Sequence, residues 1–513
     1  MQKTTVNPQP ASEHAGVTLE EIYNDRGFFG HPKGLSVLGF GNLFNAIAWA
    51  AFNAIFIYYL YTPFTRGLGF TQGQASSIVA AMGVANTLFG IVGSWLADRL
   101  LGMRSALVWG NVLKALGFAL MAIPTSTVQQ GQTFMFIGLI LLCMPLMGSS
   151  NASLTAQLYR KSDDARRDAA FNVHNIFNSI GGLLAPVVVG NLSQSNYHIG
   201  FAIAAVAALL YGLVILVFSK PFFGELGHKP VKPLNATEKK HMLIISTVVV
   251  VIGVVIGAVL LGAKVFTFNR LLNGITTIAF IIPLLFFTRL FTNKDIPEKS
   301  RVVFKPMGIL LAIQVFQAVI WAVTGPATLM YMDQKLNRTF GGFTFAPATF
   351  VSVGAAFALV FNPLATYLWT STTFGKRIRS LSKMSWSYVF GSITLFIYPI
   401  TLLLAHGGKV NPLWYVLILL IDSFTGAIGG PSGISLMAKM APKSYDTQIQ
   451  TAWQQCTTIG NGIGMLIFLV FNTVDKQLAL FPWLGLGSIL AGLYLRFTQK
   501  KLEKTINSVD TED

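Results

Sequence analysis

The run GSWLADRLLGMR, residues 93–104, sets one acid and two arginines between two apolar segments, 73–97 and 105–123. Each segment is close to or above the roughly 20 residues of helix needed to cross hydrocarbon. Gly93 and Gly102 permit close helix approach and a sharp reversal. Asp98, Arg99 and Arg104 share the turn, where they can form a charge cluster that latches two parts of the molecule in one conformation. The stretch reads as a tight polar turn between two membrane helices.

The same pattern recurs outward in both directions. Fourteen apolar segments of helical length are predicted, at 35–61, 73–97, 105–123, 132–158, 170–191, 200–219, 241–263, 271–292, 306–332, 346–370, 384–406, 413–440, 447–472 and 481–498. Continuous apolar runs, rather than alternating ones, exclude a membrane β-barrel. Composition agrees: charged residues make up 11% of the 513 and hydrophobic ones 53%, with a mean hydropathy of +0.59. Ordinary soluble proteins carry about 25% charged residues, and a chain this long could not cover itself in water with so few. The expected fold class is an all-α polytopic membrane protein with 14 transmembrane helices. A cleavable leader is not expected, because a polar stretch of 34 residues precedes a first span too long for a leader core.

The net charge of +17 is explained by topology. With the N-terminus placed in the cytoplasm, 29 of the 37 Lys and Arg fall on that side and 7 on the other, leaving Lys114 inside a span. That bias predicts a multi-pass protein of the cell membrane with both termini cytoplasmic. A nucleic-acid partner is not expected, since the basic residues are spread over many loops rather than gathered on one surface. Cys143 and Cys456 lie inside apolar runs and suggest neither a disulfide nor a metal site. No nucleophile–base pair, metal cluster or nucleotide loop appears, so neither an enzyme nor a cofactor is expected.

Residues 220–240, KPFFGELGHKPVKPLNATEKK, form a polar Lys/Pro-rich linker. Six spans precede it and six follow residue 305, which divides the chain into a cytoplasmic tail 1–34, a six-helix bundle 35–219, a linker with two extra spans 220–305, a second six-helix bundle 306–498 and a tail 499–513. The two extra spans are almost free of polar residues and are expected at the periphery, facing lipid. Two repeated six-helix halves with a site between them is the layout of transporters.

The 93–104 turn resembles the loop signature of the major facilitator superfamily, and other stretches resemble one branch of it, the proton-dependent oligopeptide transporter (POT) family. These are 31–35 (HPKGL), Tyr59-Leu60, Ala165-Arg166-Arg167-Asp168, Phe171-Asn172 and 181–186 (GGLLAP). Ile320-Trp321-Ala322, Pro431 with Gly433, 439–442 (KMAP), Trp453 and Ile459-Gly460-Asn461 continue the match. The resemblance spans about residues 30–500 and implies a major facilitator fold and proton-coupled peptide uptake.

The departures from that family are specific. Its E-x-x-E-R motif falls on Asn42, Asn45 and Ala46, and its fourth-span Lys on Gly148. The Glu of its seventh span falls on Gly325, the Asn of its eighth on Gly354, and the Glu of its tenth on Gly426. The resemblance thus implies a charged clamp and proton relay whose usual residues are missing here.

Ionisable groups within hydrocarbon are functional candidates by default, and Asp422, Lys114 and His174 are the ones the spans enclose. Asp422 precedes Gly426 by one helical turn on the same face. It is a candidate proton or amine site, with a solvated acid near the outer mouth as the plainer reading. Lys114 is a cation for a substrate anion or for Asp422, or else a structural lysine. His174 has a suitable intrinsic pKa for proton coupling but stands near the cytoplasmic end.

Asn42, Asn45, Trp49 and Asn53 form a stripe along the first helix. With Asn151, Asn175, Gln317, Trp321, Trp453 and Gln454 they make a candidate pocket of amides and aromatics, though Asn and Gln also serve as interhelical glue. Three functions fit. The first is a secondary transporter of small peptides or peptide-like solutes working by alternating access, with protons as a possible partner. The second is an uncoupled or differently coupled carrier of a neutral polar solute such as a sugar, polyol or amide. The third is a transport-dead sensor, which the lack of an appended soluble domain disfavours.

Overall fold

The computed structural model describes residues 17–143, 150–160, 163–230, 233–240, 242, 268–294, 296, 298–429, 432–440 and 446–507. Ten helical stretches among these residues are long and apolar enough to cross a membrane. A short helix α1 (Leu19–Asn24) comes first, closed by a capping box in which Thr18 and Glu21 satisfy each other's backbone N–H groups. A first group of helices follows: α2 (Lys33–Tyr61), α3 (Gln72–Leu96), α4 (Met103–Ala122), α5 (Val128–Cys143), α6 (Ser150–Gln157), α7 (Asp164–Leu192) and α8 (Tyr197–Phe223). Helix α2 lies at its centre, packed along α7 and α8, and α4 also lies along α8. Gly181 allows α7 to approach: a Cβ there would stand 2.6 Å from the Ala46 Cβ and 3.0 Å from the Leu43 carbonyl.

Helix α9 (Phe268–Phe291) corresponds to the second extra span; the first, 241–263, lies outside the described residues except for residue 242. Helix α9 rests on α3 and on a helix of the second group, and it turns Ile278, Ile281, Leu284 and Leu285 outward. That is the peripheral, lipid-facing position its lack of polar side chains predicts.

The second group comprises α10 (Phe304–Gln334), a small hairpin β1 (Thr339–Phe340) and β2 (Phe343–Thr344), α11 (Thr349–Ser371), α12 (Thr373–Arg377), α13 (Ser380–Gly391), α14 (Ile393–Leu404), α15 (Pro412–Gly429), α16 (Ser432–Lys439), α17 (Asp446–Val470), α18 (Val474–Ala479) and α19 (Phe481–Asn507). The groups meet where α3 packs on α17 and α7 on α11. Counted without the two extra spans, these are the second with the eleventh and the fifth with the eighth, contacts that exchange under a shift of six spans.

One predicted span has a different form, and two others are described only in part. The expected helix at 384–406 is two helices joined at Ser392, and the one at 413–440 is α15 followed by α16, with residues 430 and 431 outside the description. The predicted 132–158 is α5 and α6, on either side of the undescribed 144–149. The last helix runs on to Asn507, past the expected end at 498, because Leu502 and Ile506 still find buried positions one turn apart.

Candidate functional site

The stripe on α2 is drawn into bonds between helices. Asn42 Nδ2 donates to the His174 carbonyl at 3.0 Å, tying α2 to α7. Asn45 Oδ1 accepts from Lys114 Nζ at 2.6 Å, tying α2 to α4. Trp49 stands edge-on to Phe52 and Phe118, with Lys114 Nζ 5.5 Å from its ring centre. Asn53 and Asn175 are exposed. Asn151 donates to the Tyr211 hydroxyl on α8, and His174 Nε2 lies 2.8 Å from Thr155 Oγ1 on α6. Lys114 is thus engaged within its own group of helices by Asn45 and Trp49; an ion pair with Asp422 is not formed.

A cavity of about 670 Å³ opens inside the second group. It brings together the predicted Gln317 and Trp321 of α10, Asp422 of α15, and Trp453 and Gln454 of α17. Asp422 faces this space among Thr394, Tyr398, Tyr415 and Thr425 and makes no ion pair among the described residues. Asp422 is itself an exposed residue. Sequence reasoning missed the tyrosines: Tyr398 lies 3.2 Å from Thr328 Oγ1 through its hydroxyl, and Tyr331 lies 2.8 Å from Thr401 in the same way. Their only signal in the sequence was a phenolic oxygen in an apolar run, a group that needs a partner when buried.

The two groups are bonded together at the end where α2 and α10 finish. Tyr58 donates to the Leu329 carbonyl at 3.0 Å, and Tyr61 donates to the Asp333 carboxylate, which Arg338 also holds at 3.1 Å. Asn191 bridges to Thr349 Oγ1 and to the Ala346 N–H, at 3.0 and 2.9 Å. Gln72 accepts from the Val474 N–H at 2.7 Å, and the Gly73 N–H donates to the Asn472 carbonyl at 2.9 Å. A cleft of about 370 Å³ remains between Tyr61, Arg66, Tyr197, Asp333 and Arg338.

At the opposite end the chain leaves α3 through one π-helical turn, Ala97–Leu101, and reverses at Gly102 with φ +76°. A Cβ at Gly102 would meet the His228 carbonyl at 2.5 Å. Asp98, Arg99 and Arg104 do not pair with one another in this structure. Arg99 pairs with Glu238 of the linker at 3.1 Å, and buried Arg104 donates to the carbonyls of Gly224 and Ser219 at 2.6 and 3.4 Å. Arg104 is turned that way because the C-terminal end of α8 presents unsatisfied carbonyls to a cation. Asp98 is exposed.

The family model for the POT family matches residues 104–484. The chain belongs to the POT family. Among its relatives, an uncharacterised transporter, YclF of Bacillus subtilis (strain 168), is 31% identical over 494 residues, covering 94% of this chain and 97% of the relative. A di-/tripeptide transporter of Lactococcus lactis subsp. cremoris is 28% identical over 503 residues, covering 94% and 98%. The crystal structure of a POT peptide transporter in complex with sulfate superposes with a TM-score of 0.88 at 26% identity, covering 95% of this chain and 99% of that one. This POT protein is a multi-pass membrane protein with the major facilitator fold.

Proposed function

We propose that the protein carries small peptides or peptide-like solutes across the cell membrane by alternating access, with Asp422 receiving the solute's amino group. The observation that carries this reading is a carboxylate open to a cavity of about 670 Å³ without a cation beside it among the described residues. A solute ammonium would supply the missing charge and satisfy the hydrogen-bonding capacity of the acid. Gln317 and Gln454 are suited to peptide amides, and Trp321 and Trp453 to side chains. We assign the two bundles to residues 35–219 and 306–498, joined by 220–305, with both termini cytoplasmic. The bonded end is then the outer gate, and the molecule faces inward.

The test is uptake of labelled Ala-Ala by proteoliposomes. Asp422→Asn is expected to raise KM by roughly ten- to a hundredfold, the equivalent of about 1.5–3 kcal/mol for a hydrogen bond to a charged group. Unchanged kinetics would remove Asp422 from the site. A second reading, a carrier of neutral polar solutes, is favoured by the uncharged amides of the α2 stripe. Uptake of acetylated, amidated dipeptides or of sugars in preference to Ala-Ala would establish it.

A further inference from the structure

The cavity of the second group takes Trp321, Gly325 and Leu329 from one face of α10, and Leu419, Asp422 and Gly426 from one face of α15. The end of α10 and the start of α15 lie together, where the Val410 N–H donates to the Lys335 carbonyl at 2.8 Å. Gly325 and Asp422 each stand about 2.5–3 turns from that shared end, and so at about the same depth. Gly426 follows Asp422 by one turn on the same face.

Five glycines line the cavity among the described residues, and they differ in what a side chain would meet. A Cβ at Gly429 would stand 2.2 Å from the Ser387 Cβ, one at Gly433 would stand 2.2 Å from the Trp453 ring, and one at Gly391 would stand 3.3 Å from Thr425 Oγ1. Those three serve helix packing. At Gly325 and Gly426 a Cβ would meet nothing within 4 Å among the described residues, and both positions are exposed. Neither has the positive φ that asks for glycine. Gly325 precedes Pro326, where the lack of a Cβ eases a helical backbone. Gly426 precedes Ala427, and α15 continues through it to Gly429. Glycine inside a helix costs stability relative to alanine. What Gly426 gives in return is width one turn from the carboxylate, in a cavity whose apolar lining includes Trp321, Leu329, Val351 and Leu419.

We infer that the cavity selects solutes whose amine-bearing first residue is large and apolar, its side chain filling the width kept by Gly325 and Gly426; this rests on the peptide reading above, which puts the amine on Asp422. An aromatic or long aliphatic side chain entering there leaves water and gains in proportion to the apolar area it buries. An alanine in first place leaves the space to water. The second side chain of an extended dipeptide starts about 3.8 Å further along and points to the opposite side, away from the same space. Gly426 is then a specificity-determining residue, acting through the side chain it lacks.

The test compares two isomers of equal composition, Phe-Ala and Ala-Phe, as unlabelled competitors of labelled Ala-Ala uptake in proteoliposomes. In the wild type Phe-Ala is expected to half-inhibit at a roughly tenfold lower concentration than Ala-Phe. Equal potency, or a preference for Ala-Phe, overturns the proposal. Gly426→Leu fills the space and should bring the ratio to about one; a ratio that survives in this variant overturns the proposal. If Gly426→Leu is not monodisperse on gel filtration, Gly426→Ala takes its place, and a ratio there equal to the wild type's overturns the proposal. Asp422→Asn reports on the amine and should weaken both isomers, whereas the isomer ratio reports on the space. A wild type that takes up no dipeptide defeats the peptide reading, and melting temperature with added amines then decides on the space alone. 2-Phenylethylamine should raise it more than ethylamine does in the wild type, and the difference should vanish in Gly426→Leu; equal shifts in the wild type, or a difference that persists in Gly426→Leu, overturn the proposal.

Discussion

Asn42 spends its amide on a backbone carbonyl of α7, so its contribution is measurable apart from any solute. Polar contacts between membrane helices are worth about 0.6 kcal/mol on average, and Asn42→Leu is expected to lower the melting temperature by a few degrees or less. Outside the membrane, His31 Nδ1 lies 2.9 Å from the Tyr159 hydroxyl, and burial and the Arg166 charge hold its pKa below the ordinary 6.5. The unfolded chain then binds more protons at this site, so stability rises with pH through this range and falls as pH drops below about 6.5. Melting temperature against pH should show that slope in the wild type and a shallower one in His31→Gln. The residue types of the site were legible because polar groups are conspicuous in apolar runs. Their partners were not: Asn45 and Lys114 are 69 positions apart and Asn42 and His174 are 132 apart, and only folding joins them.

At the level of the element, the spans were legible because hydrocarbon imposes both length and composition. The break at Ser392 was hidden, since Gly391-Ser392 lies inside a run that stays apolar on both sides. The tight seam between α2 and α7 gives a clean pair of variants. Gly181→Val should force the helices apart at a cost of about 1–3 kcal/mol, as overpacking does. Gly182→Val, where an added Cβ meets nothing within 4 Å, should melt like the wild type. Equal melting of the two variants would show that the close approach is not a constraint.

For the whole molecule, the hydrogen bonds described between the two groups gather at one end, on Tyr58, Tyr61, Gln72, Gly73 and Asn191 of the first group. On the alternating-access reading proposed above, opening there must break them nearly together, which would make the gate cooperative. Tyr61→Phe removes the donor to Asp333 and should increase the open fraction. The measurement is thiol labelling of Gln194→Cys, whose native side chain bonds the Thr344 carbonyl at 3.1 Å across the same boundary. Labelling should be faster in the Tyr61→Phe background, and an unchanged rate would take Tyr61 out of the gate. Cys143 and Cys456 are buried and add little background.

Helix α9 leans on α3 and α17, the pair that joins the groups along one flank; a Cβ at Gly462 of α17 would stand 3.0 Å from the Ala279 Cβ, and Thr276 Oγ1 lies 3.8 Å from Met465 Sδ. If the groups rock about this flank, as the proposed alternating access requires, they drag their own cover strip along. On that reading lipid tails would be kept from wedging into the moving joint, and bilayer thickness would become a load on the transport cycle through the aliphatic outer face of one added helix.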